Sequence, residues 1–210
     1  MYKILAAKPV AYKLTLYTLL ISLIVISGCT TSKQVDRIDV DTTIDLSGRW
    51  NDTDSRLVAE EMIDNCLTHP WINNHGIDTG SKPVVIVGNI RNKSMEHIAV
   101  GTFISDIERA FINTGKVRPV SSASERSELR EERTDQGEFA AMETIKQMGR
   151  ELGADYAMTG EINTIEDREE GKQVLFYQTD LTLTNIETNE KVWIGQKKIK
   201  KLVKRNKLKW

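Results

Sequence analysis

Residue types that could hold a metal ion or act as nucleophiles are few in this chain. It has three histidines, His69, His75 and His97, and two cysteines, Cys29 and Cys66. The histidines lie six and 22 residues apart, so they lack the HExxH spacing of a zinc protease. Two cysteines are too few for a four-cysteine zinc site or a disulfide scaffold. No phosphate-loop, GxGxxG or GxSxG pattern is present, so we predict neither a metal site nor a cofactor.

Clustered carboxylates are the other candidates for chemistry. They fall at Glu60/Glu61, at Glu131/Glu132 and within Glu166–Glu170. A glycosidase needs two carboxylates about 5–10 Å apart across a sugar cleft. These clusters instead lie on predicted helix faces and at a predicted hairpin tip, which are normally solvated. We therefore predict no catalytic residue, and we do not expect an enzyme.

The segment before Cys29 has the pattern of a secretory signal. Met1–Lys13 contains three lysines and no acid, and Leu14–Ile26 follows with thirteen uncharged residues. A positively charged start followed by a short apolar core is typical of a signal peptide. A helix that spans a membrane permanently needs ~20 apolar residues, so this core is short for that role.

The ending Ile26-Ser27-Gly28-Cys29 resembles a bacterial lipobox. The resemblance implies cleavage before Cys29 and lipid attachment to its sulfur. The alternatives are an uncleaved anchor, or a cysteine that follows an ordinary signal by chance. Each buried CH₂ contributes ~0.8 kcal/mol and stable anchoring needs at least two signals, and lipoproteins of this kind carry three acyl chains. Thr30 is not an aspartate, which by resemblance to sorting in enteric bacteria favours the outer membrane.

The charge of the chain is balanced overall but uneven along its length. Its formal net charge is −1, from 29 basic and 30 acidic residues, which excludes a globally basic nucleic-acid binder. Lys197–Trp210 nevertheless holds eight basic residues and no acid. These lysines could keep an edge strand from pairing with another chain. They could instead meet an acidic partner, anionic lipid headgroups or cell-wall polymers.

Three regions are predicted from these patterns: residues 1–28 as signal peptide, 29–52 as a lipidated polar tether and 53–210 as one globular periplasmic domain. The tether from Thr30 contains no proline and reaches at most roughly 75–83 Å when fully extended. Its last part, Ile44–Trp50, is expected to dock on the domain.

Hydrophobic periodicity predicts the elements of the domain. We expect a helix capped by Asp54, with Val58, Met62 and Cys66 on one face, and then a loop marked by Pro70 and Gly76. A buried strand at Pro83–Gly88 is followed by a polar loop at Asn89–Glu96, which is either a turn or a ligand-binding edge. The next element is a strongly amphipathic helix at His97–Asn113, whose apolar face is formed by Val100, Phe103, Ile104, Ile107 and Phe111. A second strand, a capping box from Ser122 to Glu125, a charged helix and another helix from about Asp135 should follow. The further strands are predicted at Tyr156–Ile165, Lys172–Ile186 and Val192–Val203.

This order predicts an α/β (α+β) fold, in which helices pack on the faces of a central mixed β-sheet. The first two strands would form a parallel crossover and the last three an antiparallel meander. Gly160 within a strand suggests a bulge or a close backbone approach, and Cys66 in an apolar helix suggests a small buried side chain.

Several segments in a fixed order resemble the penicillin-binding protein activator LpoB family. They are Asp45–Ile63, Pro83–Ile98, Glu125–Gln136, Glu151–Ile162 and Glu187–Gln196. The resemblance implies an outer-membrane lipoprotein whose periplasmic domain activates a bifunctional, class A penicillin-binding protein that synthesises peptidoglycan. It also implies a fold similar to the N-terminal domain of TolB. The partner-binding residues have no motif that can be carried over.

The tether departs from the family pattern, because the best-known members have a long, proline-rich one. The alternative function is a structural or secretion-accessory envelope lipoprotein of related fold, as in curli secretion. We find no pair of strand-length alternating segments that would line a pore, which favours the regulatory function.

Overall fold

The computed structural model describes residues 33–40, 42–139 and 151–204. Residues 33–40 belong to a separate unit of the chain, Met1–Val40, and contain neither helix nor strand. The predicted signal peptide and the lipobox of Ile26, Ser27, Gly28 and Cys29 lie outside the described residues. None of the described helices combines the length and the apolar character that a membrane crossing requires.

The described part of the second unit, Asp41–Trp210, is built around one mixed sheet. Its helices are α1 (Asp52–Thr68), α2 (Trp71–Thr79), α3 (Val100–Thr114) and α4 (Ala123–Phe139). Its strands are β1 (Val84–Asn92), β2 (Arg118–Val120), β3 (Tyr156–Glu169), β4 (Lys172–Asn185) and β5 (Lys191–Lys204).

The strand order in the sheet is β2-β1-β3-β4-β5. β1 pairs in parallel with both β2 and β3, while β3, β4 and β5 form antiparallel pairs. Strand β1, helix α3 and strand β2 thus form the predicted parallel crossover, and β3–β5 form the predicted meander. The α+β fold class is confirmed.

Helix α1 begins earlier than predicted, because Asn51 and not Asp54 is its N-cap. The Asn51 side chain accepts a hydrogen bond from the Asp54 backbone N–H, and the Asp54 carboxylate accepts one from the Asn51 N–H, each over 3.0 Å. Asp54 is therefore the third residue of a capping box. The predicted stripe of Val58, Met62 and Cys66 is buried.

Helix α2 replaces a predicted loop, so that prediction was wrong. Pro70 immediately precedes its first residue, where the missing backbone N–H costs no helical hydrogen bond. Gly80 ends it with a φ of 66°, a left-handed conformation that glycine adopts without strain. Trp71 is buried, and its indole Nε1 donates a hydrogen bond to the Cys66 carbonyl over 2.8 Å.

The Cys66 thiol is fully buried, as predicted. Burial raises the pKa of this thiol to about 12, against the opposing effect of a hydrogen bond with Trp71. Because the thiolate is the reactive form, Cys66 is chemically inert in the folded protein and serves the core as a small apolar side chain.

The core lies between helices α1 and α3 and one face of the sheet. Helix α1 packs against α3 and β5, and α3 packs against β1 and β2. Phe103, Ile107 and Phe111 of α3 have no exposed surface, whereas Val100 and Ile104 of the predicted apolar face are only partly buried. The face contributed by β4 consists of alternate buried residues, Leu175, Tyr177, Thr179, Leu181 and Leu183.

Helix α4 begins at the predicted capping box. The Ser122 N–H donates to the Glu125 carboxylate over 2.7 Å, and the Glu125 N–H donates to the Ser122 hydroxyl. These bonds hold the pKa of Glu125 below its usual value. The helix continues to Phe139 without the predicted break near Asp135, because no glycine or proline precedes that point to end it. Its predicted successor falls mostly in residues 140–150, outside the described part of the chain.

Strand β1 also runs further than predicted, through the segment that was expected to be a loop. It reaches Asn92, and its register with β3 shifts between Val87 and Ile90. Ile90 then pairs with Gly160, where a Cβ atom would overlap the Asp180 carbonyl oxygen of β4. The predicted close backbone approach at Gly160 is confirmed.

Candidate interaction surface

The strands β3, β4 and β5 are each 14 residues long, and one face of this meander is turned away from the core. Side chains alternate between the two faces of a strand. The odd-numbered residues from Leu175 to Leu183 are buried, so the even-numbered residues of β4 belong to the other face. We call this the outer face, which includes Glu161, Asn163, Ile165, Phe176, Gln178, Asp180, Ile194, Gln196, Lys198, Lys200 and Leu202.

The register places these side chains in rows across the three strands. Gln178 lies between Asn163 and Lys198. One row further along, Phe176 lies between Ile165 and Lys200. Each row therefore runs from an uncharged side chain on β3 to a lysine on β5.

The lysines of β5 that face the helices are paired. Lys197 forms an ion pair with Glu61 of α1. The Lys201 ammonium donates to Asp45 over 2.5 Å and to Asp54 over 2.6 Å. Burial works against the charge of Lys201, but the two carboxylates outweigh it and raise the pKa of this group above its usual value.

The lysines on the outer face have no such partners. Lys198 and Lys200 are exposed, and neither forms a hydrogen bond or ion pair with a residue that the structure describes. They line the outer edge of the sheet, since β5 is its last strand. The prediction that the basic segment forms an edge strand is confirmed up to Lys204. Residues 205–210 lie beyond the described residues.

The middle of the outer face is polar and ordered by side-chain hydrogen bonds. The Asp180 carboxylate accepts from Gln178 over 2.8 Å and from Gln196 over 2.9 Å. The Glu161 carboxylate accepts from Asn163 over 3.2 Å. Since amides hold both carboxylates in place, the centre of this face presents a fixed pattern of donors and acceptors.

Apolar side chains flank this polar centre along the strands. Ile165 is 66% exposed and Leu202 is 56% exposed toward the hairpin of β3 and β4, and Ile194 is 65% exposed toward the other end. This face therefore combines a fixed polar pattern with exposed apolar groups and exposed lysines. It offers the mixture of contacts found in protein–protein interfaces.

The end of the predicted tether is docked on this domain, as expected. We call residues 44–50 the strap. The Ile44 carbonyl accepts a hydrogen bond from the Asn51 side chain over 3.0 Å. The Trp50 ring makes edge-to-face contacts with Tyr177 and Phe103, at centroid distances of 5.6 and 6.3 Å.

Glu96 joins the strap to the sheet. One of its carboxylate oxygens accepts from the Tyr177 hydroxyl over 2.8 Å, and the other accepts from the Trp50 backbone N–H over 3.2 Å. Burial and then this hydrogen bond to a carboxylate raise the pKa of Tyr177. With the contacts of Asp45 to Lys201, the strap is held by both ionic and aromatic contacts.

The three carboxylate clusters noted in the sequence lie on separate elements and do not come together. Glu60 and Glu61 are exposed on α1, Glu131 and Glu132 are exposed on α4, and the 166–170 cluster is exposed at the β3–β4 hairpin. Within the described ranges, no three histidine, cysteine or acidic side chains come together as a set of metal ligands.

An ion pair that the sequence did not reveal ties α4 to residue 151. The Glu151 carboxylate accepts from Arg130 and Arg133, each pair 2.8 Å apart at its closest. These hydrogen bonds, led by that of Arg130, lower the pKa of Glu151 to about 2. The spacing of 18 and 21 residues along the chain gives no local signal for such a contact.

Comparison with known proteins adds one family match. Residues 54–199 match the family model LpoB, described as peptidoglycan-synthase activator. No curated protein matches the chain.

Among solved structures, the chain is similar to the LpoB C-terminal domain from Salmonella enterica, with 15% identity, a TM-score of 0.39, and coverage of 70% of this chain and 98% of that one. For the LpoB C-terminal domain from Escherichia coli the identity is 15% and the TM-score 0.34, over 67% and 97% of the two chains. For the lipoprotein GNA1162 from Neisseria meningitidis the identity is 14% and the TM-score 0.33, over 58% and 84%.

Proposed function

Since the chain belongs to the LpoB family of peptidoglycan-synthase activators, we propose that it binds a class A penicillin-binding protein and increases its rate of peptidoglycan synthesis. The observation that carries this proposal is the extent of the family match, which runs from the first turn of α1 to the middle of β5. In this proposal the protein acts by contact and contributes no catalytic group of its own.

The same proposal includes a lipid anchor at Cys29 in the outer membrane, on its periplasmic side. The docked strap then determines how far the domain can move from that membrane. Residues 30–43 are the part of the tether that precedes the strap, and fourteen residues reach roughly 46–50 Å when fully extended. The synthase would therefore have to extend toward the outer membrane to meet this domain.

Cys29→Ala is expected to abolish lipid attachment, because no other atom replaces the sulfur that carries the acyl group. Cells fed with radioactive palmitate would yield an unlabelled Cys29→Ala protein. Cys66→Ala is the matched control and should retain the full label, since Cys66 is buried in the core. Label that persists in Cys29→Ala would contradict the proposed anchor.

We place the synthase contact on the outer face, against an acidic surface of the partner. The exposed lysines of β5 favour an acidic partner because they lack carboxylate partners among the described residues. The flanking apolar side chains, such as Ile165 and Leu202, would lose their exposed surface on binding, which is favourable at about 25 cal/mol per Å².

Reversing the charge of this edge should weaken the complex. The double variant Lys198→Glu/Lys200→Glu is expected to bind a purified class A synthase at least about ten-fold more weakly, and mainly through slower association, as charged interface groups steer encounter. Surface plasmon resonance gives both rates, and a glycan-polymerisation assay reports the loss of activation.

Lys82→Glu is a control for reversing the charge of an exposed lysine away from the outer face, because Lys82 is exposed in the loop before β1. It should leave binding and activation unchanged. If the double variant and Lys82→Glu behave alike, the outer face is not the contact. If no class A synthase binds the unaltered protein, the proposed function itself is wrong.

A further inference from the structure

A pocket with acidic and aromatic walls lies at the end of the sheet where β3 begins and β4 ends. It consists of two adjoining recesses of about 380 and 320 Å³ that share His75, Asp78, Tyr156 and Asn185 as lining residues. Helix α2 forms one wall, and the turn between β4 and β5 forms the other. This pocket is separate from the lysines of the outer face and plays no part in the function proposed above.

The charges that line this pocket are mostly negative. Four carboxylates and one ammonium group line it, from Asp78, Asp155, Glu187, Glu190 and Lys191. The side chains of Asp78, Glu187 and Glu190 make no hydrogen bond or ion pair with any residue in the described ranges. Burial first, and then the charges of Asp155, Asp78 and Glu190, raise the pKa of the Tyr156 hydroxyl.

A buried histidine at the wall has one nitrogen without a partner. His75 is 8% exposed, and its Nδ1 lies 3.1 Å from the Tyr156 hydroxyl. Its Nε2 is buried, has no hydrogen-bond partner among the described residues, and lies 3.7 Å from an Asp155 oxygen. When Nδ1 carries the proton, Nε2 keeps an unpaired lone pair beside the Asp155 carboxylate, so this wall of the pocket favours a nearby positive charge.

Asp155 is held in position at this wall. Its carboxylate accepts a hydrogen bond from the Val84 backbone N–H over 2.8 Å, and its own backbone N–H donates to the Val84 carbonyl. These bonds fix the carboxylate beside His75 without neutralising its charge. The negative group is therefore preorganised at the pocket.

Two aromatic rings complete the pocket. Trp71 and Tyr156 line one recess, and their rings are in edge-to-face contact with centroids 5.0 Å apart. Ring faces attract cations through their negative quadrupole, and carboxylates attract them through charge. A neutral or anionic ligand would not benefit from either of these two attractions for a positive charge.

We propose that this pocket binds an organic cation, namely an ammonium or guanidinium group. Such a group can pair with Asp78 and Glu190 and lie near the Trp71 and Tyr156 rings. The unpartnered Nε2 of His75 and the Asp155 carboxylate add negative potential at the same wall. The cation could be the side chain of an arginine on a protein partner or a free polyamine, since both present the same charged group.

Histidine NMR can test this proposal on the full-length protein, because the chain has three histidines. With histidine labelled by ¹³C at Cε1, agmatine is titrated to about 50 mM, well above a millimolar Kd, at constant ionic strength. His75 and His69, which line the pocket, should shift in a saturable manner. His97 lies in a different part of the chain's surface and should not shift.

Variants of the lining carboxylates distinguish binding in this pocket from non-specific attraction of cations to the protein surface. Asp78→Asn/Glu190→Gln should weaken agmatine binding about five-fold or more, as expected for the loss of two ion pairs. Glu169→Gln/Glu170→Gln, on the exposed β3–β4 hairpin, removes as much charge and should not change the affinity. Shifts that remain linear in agmatine, that 1-pentanol reproduces, or that the pocket variant leaves unchanged would overturn the proposal.

A second titration identifies the source of the cation. Tighter binding of N-acetyl-arginine methylamide than of agmatine would support an arginine of a protein partner. Tighter binding of agmatine would support a free polyamine. Either result supports an organic cation in the pocket. If neither compound binds saturably, the proposal is contradicted. A failure here leaves the proposed synthase contact on the outer face untouched.

Discussion

Phe103→Ala is expected to lower the free energy of unfolding by about 3–5 kcal/mol, the usual cost of truncating a buried phenylalanine. Phe103 has no exposed surface and lies on the apolar face of α3. Its ring also contacts Trp50 of the strap, so truncation removes contacts from both sides. Urea unfolding followed by circular dichroism measures the loss, and an unchanged m-value would show that stability alone has changed.

Ile112→Ala is the matched control for this experiment. Ile112 lies on the same helix but is 62% exposed, and alanine is a better helix former than isoleucine. Its free energy of unfolding should stay within about 0.5 kcal/mol of the unaltered protein. Equal effects of the two substitutions would show that α3 does not bury Phe103 in the core.

Gly160→Ala is expected to destabilise the sheet by about 1–3 kcal/mol, the range for adding a methyl group to a fully packed site. The added Cβ would overlap the Asp180 carbonyl oxygen and the Leu181 side chain. A backbone oxygen cannot move aside without displacing the β3–β4 ladder, so the upper part of this range applies. Thermal unfolding by calorimetry measures the change.

Gly101→Ala makes the same chemical change with the opposite expected sign. Gly101 lies in α3, and an added Cβ there would meet nothing within 4 Å. Alanine in place of glycine stabilises the middle of a helix by roughly 0.5–1 kcal/mol. Gly101 lies in the first turn, so we expect a smaller gain and a slightly higher melting temperature. If Gly160→Ala also raises the melting temperature, the close approach at Gly160 is wrong.

Most of the element order could be predicted from the sequence, because it depends on local patterns. The apolar face of α3 repeats with the helical period, and Ser122 and Glu125 have the spacing of a capping box. The two hairpins of the meander follow from short connections between strand patterns. These signals act within a few residues of one another, so they remain readable without the tertiary structure.

Other local assignments failed where the surroundings outweighed the residue type. Pro70 and Gly76 suggested a loop, but burial of Trp71 stabilises α2 around them. The polar residues after Gly88 also suggested a loop, yet pairing with β3 extends β1 to Asn92. In both places the stabilisation from tertiary contacts is larger than the free-energy cost of overriding the local preference for a loop.

The sequence by itself determined most of the order of the elements, the apolar face of α3 and the family resemblance. The prediction of lipid attachment at Cys29 rests on the sequence alone. Only the tertiary structure decided which lysines of β5 are paired. Lys197 and Lys198 are neighbours of the same type, yet one meets Glu61 and the other faces outward. The physical reason is the two-residue period of a strand combined with its register, which assigns each side chain to a face that holds a carboxylate or to one that is open.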